Sequence, residues 1–237
     1  MNRMRPHKIK VAIIDNSINP SVYTPVEHWS KYLKVEWESF RAPRKFFPKF
    51  REGFTHLILT GSEASILDRK RWVQEEVELV QEAVALGLRL LGSCYGHQLL
   101  ALALLGPSHV GRCAAPEIGW IPIGVTEDNN LLGKKGPAYT FSSHFDEVLD
   151  PDDSFRVLAS TDSCRLQAFE LKGRPVWGIQ PHPEIDIGEA RMLLKSLIGL
   201  GLPTGPLFEK ALASVPRDSG LIGRIVTEFL GNSQSAE

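Results

Sequence analysis

Cysteine is scarce in this chain: three residues in 237, an odd number, and no two of them form a Cys-x-x-Cys pair. A disulfide framework and a dithiol or zinc motif are thereby excluded, and a reducing, cytoplasmic location is expected. An excess of one charge is also missing. Lys and Arg number 27 against 28 Asp and Glu, so the chain lacks the basic field that non-specific nucleic-acid binding needs. No apolar run approaches the roughly 18–20 residues that span a bilayer. The basic start, residues 1–10, lacks the apolar stretch of a signal peptide. Neither nucleic acid nor membrane is expected as a partner. No Gly-rich phosphate loop ending in Lys-Ser or Lys-Thr occurs, so any ATP-driven step belongs on another polypeptide and no cofactor is expected. His7, His28, His56, His97, His109 and His144 are scattered without the close spacing of a zinc motif, and no metal is expected.

What is present is an ordinary globular composition, 43% hydrophobic and 23% charged, and too little net charge for disorder. At about 150 residues per domain the length suits one large domain or a domain with an appendage. Short β-branched runs alternate with helical patterns through the first half, the mark of βαβ units on a parallel sheet. Strands are expected at Ile9 to Ile14, Leu33 to Ser39, Phe54 to Thr60 and Leu88 to Gly92. Asp68 offers an N-cap to a helix whose apolar stripe is Val73, Val77, Val80 and Val84, and Gly87 can end it. The stretch from Phe40 to Gly53 is too irregular for a helix and too apolar for a merely solvated loop.

From Val110 to Ser160 short strand-like pieces are separated by Gly, Pro, Asn and Asp, with strands at Trp120 to Val125 and Tyr139 to Ser142. Gln167 to Glu170 and Val176 to Gln180 read as a hairpin around Lys172-Gly173-Arg174, which makes the sheet mixed. Glu189 to Ile198 reads as a helix. The expected organisation is an N-terminal extension at 1–8, a domain at 9–200, and a C-terminal appendage with two weak helical patterns and a polar tail at 201–237.

Chemistry concentrates in Gly92-Ser93-Cys94-Tyr95-Gly96-His97-Gln98, which joins an apolar strand to a helix with a cysteine at the bend. Flanking glycines remove Cβ clashes, and the helix N-terminus favours a thiolate, as at a nucleophile elbow. A small buried cysteine between two packing glycines fits that segment alone about as well. Downstream, Gln180-Pro181-His182-Pro183-Glu184 follows a strand. Pro183 holds His182 extended, so the histidine and the carboxylate two residues on share a direction. His182 could take the thiol proton while Glu184 orients its ring.

These segments resemble the class I glutamine amidotransferases, whose pattern is Gly-x-Cys-x-Gly-x-Gln followed far downstream by His-Pro-Glu. The likeness extends to the loop from Thr60 to Asp68 and to Ser142-Ser143-His144-Phe145-Asp146. Glu117-Ile118-Gly119-Trp120 is similar to a segment of the branch related to GMP synthetase amidotransferase domains. Together these motifs cover about residues 9 to 200 in the family's order.

The resemblance implies a three-layer α/β fold, flavodoxin-like, with a mixed, mostly parallel sheet and helices on both faces. It implies a Cys94, His182, Glu184 triad that hydrolyses the side-chain amide of glutamine through a γ-glutamyl thioester and releases ammonia for a separate synthetase. Backbone N–H groups of Tyr95 and of the Gly61-Ser62 loop would hold the oxyanion. Gln98, Ser143, His144, Phe145 and Asp146 match substrate-facing positions. Ser62 and Glu63 stand where the family usually has Gly-Pro, so activity is expected to be weak or to depend on rearrangement. Two alternatives remain open: a free-standing γ-glutamyl peptidase with the same triad, and a non-catalytic regulatory or binding subunit. Cys113 and Cys164 are expected to be ordinary packing or surface residues.

Overall fold

The computed structural model describes residues 8–231; most of the expected N-terminal extension and the final polar tail lie outside them. Val11 to Ile14, His56 to Leu59 and Arg89 to Ser93 are nearly all buried, as strands covered on both faces must be. They form β1 (Lys10–Asp15), β3 (His56–Leu59) and β4 (Arg89–Ser93), and β2 (Glu36–Arg41) pairs with β1 at the edge. Five further strands follow: β5 (Val110–Val125), β6 (Gly136–Val148), β7 (Phe155–Ser160), β8 (Ala168–Leu171) and β9 (Val176–Ile179). The nine lie in the order β2-β1-β3-β4-β9-β8-β7-β5-β6. Pairing is parallel from β2 through β9 and antiparallel beyond. This is the expected mixed sheet.

Alternation along β1 separates the layers. Ala12 and Ile14 pack with α2 (Val73–Ala85) and α3 (Tyr95–Leu105), whereas Val11 and Ile13 face α1 (Pro25–Ser30) and α6 (Leu221–Leu230). A third apolar cluster joins α4 (Ile187–Gly199) and α5 (Gly205–Ala213) to Trp120 and Phe141 of the β5–β6 ribbon. The stretch read as an appendage thus supplies Ile225 and Phe229, both wholly buried, to the same body as β1 and β4.

Several local expectations shift. The strand expected at Leu33 to Ser39 runs Glu36–Arg41. Asp68 does not cap α2; it ends a 3-10 turn, Ile66–Asp68, whose cap is Ser65. The buried stripe of α2 is Val73, Glu76, Leu79, Val80 and Ala83, so a carboxylate occupies a core position. The short strands expected between Val110 and Ser160 fuse into a long antiparallel ribbon with a bulge between Arg112 and Glu117. The Phe40 to Gly53 stretch holds two 3-10 turns and buries Phe40, Ala42 and Phe50 in the core, leaving Phe46 exposed.

Candidate active site

The elbow follows from close backbone packing. A Cβ at Gly92 would stand 2.4 Å from the Gly96 carbonyl oxygen, and one at Gly96 would stand 2.1 Å from that of Leu59. Only glycines let α3 start so near β3 and β4. Cys94, between them, takes φ 50° and ψ −106°, a strained conformation for a residue with a side chain and one that clusters at functional sites. Hydrogen bonds fix it: the Cys94 N–H donates to the Ile179 carbonyl at 2.9 Å, and the Gly96 N–H to that of Thr60 at 3.1 Å. Asn16 braces Thr60 from β1's end, through its N–H to the Thr60 hydroxyl and its amide to the Thr60 carbonyl.

His182 follows β9, and its N–H donates to the Phe141 carbonyl of β6 at 2.7 Å. Its Nδ1 lies 2.8 Å from Glu184 Oε1, and the Ser93 hydroxyl donates to the same oxygen at 3.1 Å. Glu184 is fully buried and His182 nearly so. Burial alone would lower the His182 imidazole, but the charges of Cys94 and Glu184, with hydrogen bonds to both, raise it to about 10. It is held as an imidazolium at neutral pH, with Glu184 as its counter-charge. Tyr23 meets the His182 ring edge-on, centroids 6.0 Å apart. The Tyr23 hydroxyl is buried without a partner among the described residues.

Cys94, Tyr95, Gln98, Ser62, Ser143, Phe145, Asp146 and His182 all border one cavity of about 400 Å³. Neither the Ser62 nor the Tyr95 N–H has an acceptor among the described residues, as oxyanion donors require. Gly61 is pressed between two side chains: a Cβ there would lie 2.7 Å from His182 Cε1 and 2.8 Å from the Tyr23 hydroxyl. Glu63, one of the two departures from the family pattern, accepts the N–H groups of Ile18 and Asn19 at 3.0 Å each. Its carboxylate is thus bound to the β1–α1 loop.

Asp146 accepts from Ser65 at 2.5 Å and pairs with the half-exposed Arg112 at 2.9 Å. Gln98 donates its amide to the Asp146 carbonyl at 2.7 Å and to Gln180 at 3.2 Å, so those protons are spent on the protein. His144 borders the same cavity, but its ring nitrogens are engaged by the protein. Its Nε2 meets Glu117 at 3.0 Å, and its Nδ1 lies 3.1 Å from the Asp146 carbonyl and 3.3 Å from Cys113 Sγ, so the ring serves the scaffold.

Glu117, His144 and Cys164 form a second buried cysteine–histidine–glutamate group, with one candidate ligand atom from each within 4.8 Å of the others. The strand register explains it, because Glu117 and His144 are direct partners across β5 and β6. Scattered sequence positions gave no sign of it. Glu117 also accepts from Thr161 at 2.6 Å, Ser163 at 2.5 Å and Gln167. Burial works to raise its carboxyl, but the bonds from His144, Ser163 and Thr161 hold it at about 2. Burial pushes the Cys113 thiol up to about 12 and the Cys164 thiol upward as well. These neutral thiols beside a saturated carboxylate form a hydrogen-bonded brace, not a nucleophile. Cys113 and Cys164, expected as ordinary packing or surface residues, are buried members of it.

Sequence reasoning missed Tyr23, Arg112 and this brace. Tyr23 and Arg112 reach the cavity from segments with no fixed spacing to Cys94, so only the fold could find them.

The family described as Glutamine amidotransferase class-I matches residues 12–198. The chain is 36% identical over 96 residues to a glutamine-hydrolyzing GMP synthase subunit of Sulfurisphaera tokodaii, covering 40% of this chain and 50% of that protein. To the corresponding subunit of Saccharolobus solfataricus it is 31% identical over 172 residues, covering 72% and 88%. The chain thus spans half the length of the first relative. A glutamine amidotransferase structure from Thermotoga maritima superposes with a TM-score of 0.71 at 20% identity, over 94% of this chain and 99% of that one, a likeness of fold.

Proposed function

The chain belongs to the class-I glutamine amidotransferase family, and from that premise we propose that Cys94, His182 and Glu184 cleave the side-chain amide of glutamine or a related γ-glutamyl amide. The observation that carries this reading is the meeting of a strained, glycine-flanked cysteine with a carboxylate-oriented imidazolium in one cavity. Cys94 sulfur attacks the γ-carbonyl carbon, and the N–H groups of Tyr95 and Ser62 receive the oxyanion. The carbon–nitrogen bond then breaks as His182 gives its proton to the leaving nitrogen, which departs as ammonia when glutamine is the substrate. A water molecule next attacks the thioester, passing one proton to His182 while the carbon–sulfur bond breaks, and glutamate is released. Glu184 orients the imidazole throughout.

The polar end of the cavity, with Asp146 beside Arg112, suits a zwitterionic amino-acid head, carboxylate to ammonium and guanidinium to carboxylate. Gln98, Ser143 and Phe145 complete that end.

Likeness to dedicated subunits of a glutamine-hydrolyzing GMP synthase supports a second reading, in which ammonia passes to a synthetase on a separate chain. Free thiols throughout support a cytoplasmic setting. Among the described residues no helix is long and apolar enough to cross a membrane.

Release of ammonia and glutamate from glutamine by the purified chain, followed with and without Cys94→Ala, tests the proposal. Equal release by both proteins would overturn it.

A further inference from the structure

Both arms of the oxyanion site lead back to one buried side chain. Glu76 stands in the first turn of α2 and has no exposure. An acid in that position ordinarily faces water and stays ionised, favoured by the positive end of the helix dipole. Glu76 belongs instead to the buried stripe of α2, against α3. The Tyr95 hydroxyl donates to its Oε2 at 3.3 Å, and the Asn16 side chain lies within hydrogen-bonding reach of the same carboxyl. Its Oε1 is buried without a partner among the described residues.

Each of those two partners governs one oxyanion donor. Tyr95 follows Cys94 and carries the N–H of the elbow; its side chain is almost wholly buried, so the hydroxyl anchors the start of α3 to α2. Asn16 holds Thr60 twice, through its N–H to the hydroxyl at 3.0 Å and its amide to the carbonyl at 3.1 Å. Thr60 leads into Gly61 and Ser62, whose N–H is the second donor. The Thr60 carbonyl also accepts from Gly96 at 3.1 Å, which closes the frame between loop and elbow. An oxyanion site works because its donors are fixed before the charge develops. A carboxyl bonded to both arms fixes their spacing.

Its protonation state matters as well. An ionised carboxylate behind the donors sets a negative charge at low dielectric against the developing oxyanion, and the acid does not. Burial raises this carboxyl to about 8, helped by Glu75 and opposed by the bonds from Tyr95 and Asn16. Glu75 lies on the same helix and pairs with Lys45, and Arg69 acts on Tyr95.

Resting on the amide-cleavage reading, we propose that Glu76 is a positioning residue: its neutral carboxyl, joined to Tyr95 and Asn16, holds the two oxyanion donors in one frame and keeps negative charge from behind them.

The test is kcat and KM of the full chain for glutamine between about pH 6 and about pH 9. In the parent, kcat is expected to fall at least fivefold as pH rises through about 8, with KM changing less than about twofold. Loss of the His182 proton, at about 10, lies above that range. Glu76→Gln keeps hydrogen bonding but carries no ionisable proton, so it is expected to hold kcat within about threefold of the parent at pH 6 and to lose the falling limb. Tyr95→Phe removes a bond that lowers this carboxyl and is expected to move the limb to higher pH, a signature that a merely structural contact would not give. Glu76→Leu fills the space without the bonds and is expected to lower kcat at least tenfold across the range with little change in KM. No limb in the parent, a limb unchanged in Glu76→Gln, or parent-like kcat in a folded Glu76→Leu overturns the positioning role; if Glu76→Leu does not fold, the profiles of Glu76→Gln and Tyr95→Phe decide it. Absence of glutamine turnover in the parent, or equal turnover in Cys94→Ala, overturns the amide-cleavage reading itself and this role with it.

Discussion

His182 and Glu184 are two residues apart in the chain and 2.8 Å apart at Nδ1 and Oε1, in a site where the carboxylate has no exposure. That bond fixes the ring so that its other nitrogen faces the sulfur. Glu184→Gln keeps the shape but removes the counter-charge of the imidazolium. Turnover of glutamine is expected to fall by about 100- to 10,000-fold, and His182→Ala is expected to be worse. Unaltered turnover in Glu184→Gln would reduce the triad to a dyad.

Thiol labelling separates the three cysteines. Cys94 lines the cavity, whereas Cys113 and Cys164 are buried and held as neutral thiols. A γ-glutamyl-mimicking electrophile is expected to modify Cys94 alone at neutral pH, read by peptide mass spectrometry. Modification chiefly at Cys164 would transfer the nucleophile to the group around Glu117 and His144.

The elbow was legible in the sequence because its glycines answer to hard contacts with Gly96 and Leu59 backbone, which no other residue type satisfies. The hairpin of β8 and β9 was legible for a similar reason, its turn being local. The β5–β6 ribbon was not. Gly111, Pro116, Gly119 and Pro122 punctuate it as turns would, yet cross-strand pairing and a bulge absorb them. Glu76 was hidden too, since a stripe read from apolar residues passes over a buried carboxylate.

The structure gives the expectation about Ser62 and Glu63 a direct test. If the loop misdirected its N–H, restoring Gly-Pro would raise turnover. The Glu63 carboxylate instead ties the N–H groups of Ile18 and Asn19, beside Tyr23. Ser62→Gly with Glu63→Pro is therefore expected to slow glutamine turnover and to cost about 1–3 kcal/mol of stability, for two partly exposed bonds to a charged acceptor. Faster turnover with unchanged melting would show that the native loop is the impediment.

Glu76 makes stability depend on pH. Burial raises its carboxyl to about 8, with Tyr95 as a hydrogen-bond donor at 3.3 Å. The folded chain holds this proton more tightly than the unfolded chain does. The associated stability is complete below the ordinary carboxyl value, about 4.5, and is lost as pH rises to about 8. Glu76→Gln carries no ionisable proton there. Its melting temperature relative to the parent is expected to rise steadily from pH 5 to pH 8, and a pH-independent difference would place an ionised carboxylate in the core.

Tyr23 supplies the sharpest separation of stability from activity. Its hydroxyl is buried, has no partner among the described residues, and stands against Gly61, next to the Ser62 N–H assigned to the oxyanion. An unpaired buried hydroxyl costs about 1–3 kcal/mol, a cost recovered only if substrate completes the bond. Tyr23→Phe retains the ring that packs edge-on against His182. The melting temperature of that variant is expected to stay level or rise by about 2–4 °C per kcal/mol recovered. Its kcat/KM for glutamine is expected to fall about tenfold, close to 1.4 kcal/mol of transition-state stabilisation. Tyr23→Ala, which also removes the ring, is expected to lose on both measures. Equal kcat/KM in Tyr23→Phe and the parent would mean that the hydroxyl never meets the substrate, leaving the ring alone to hold His182 in place.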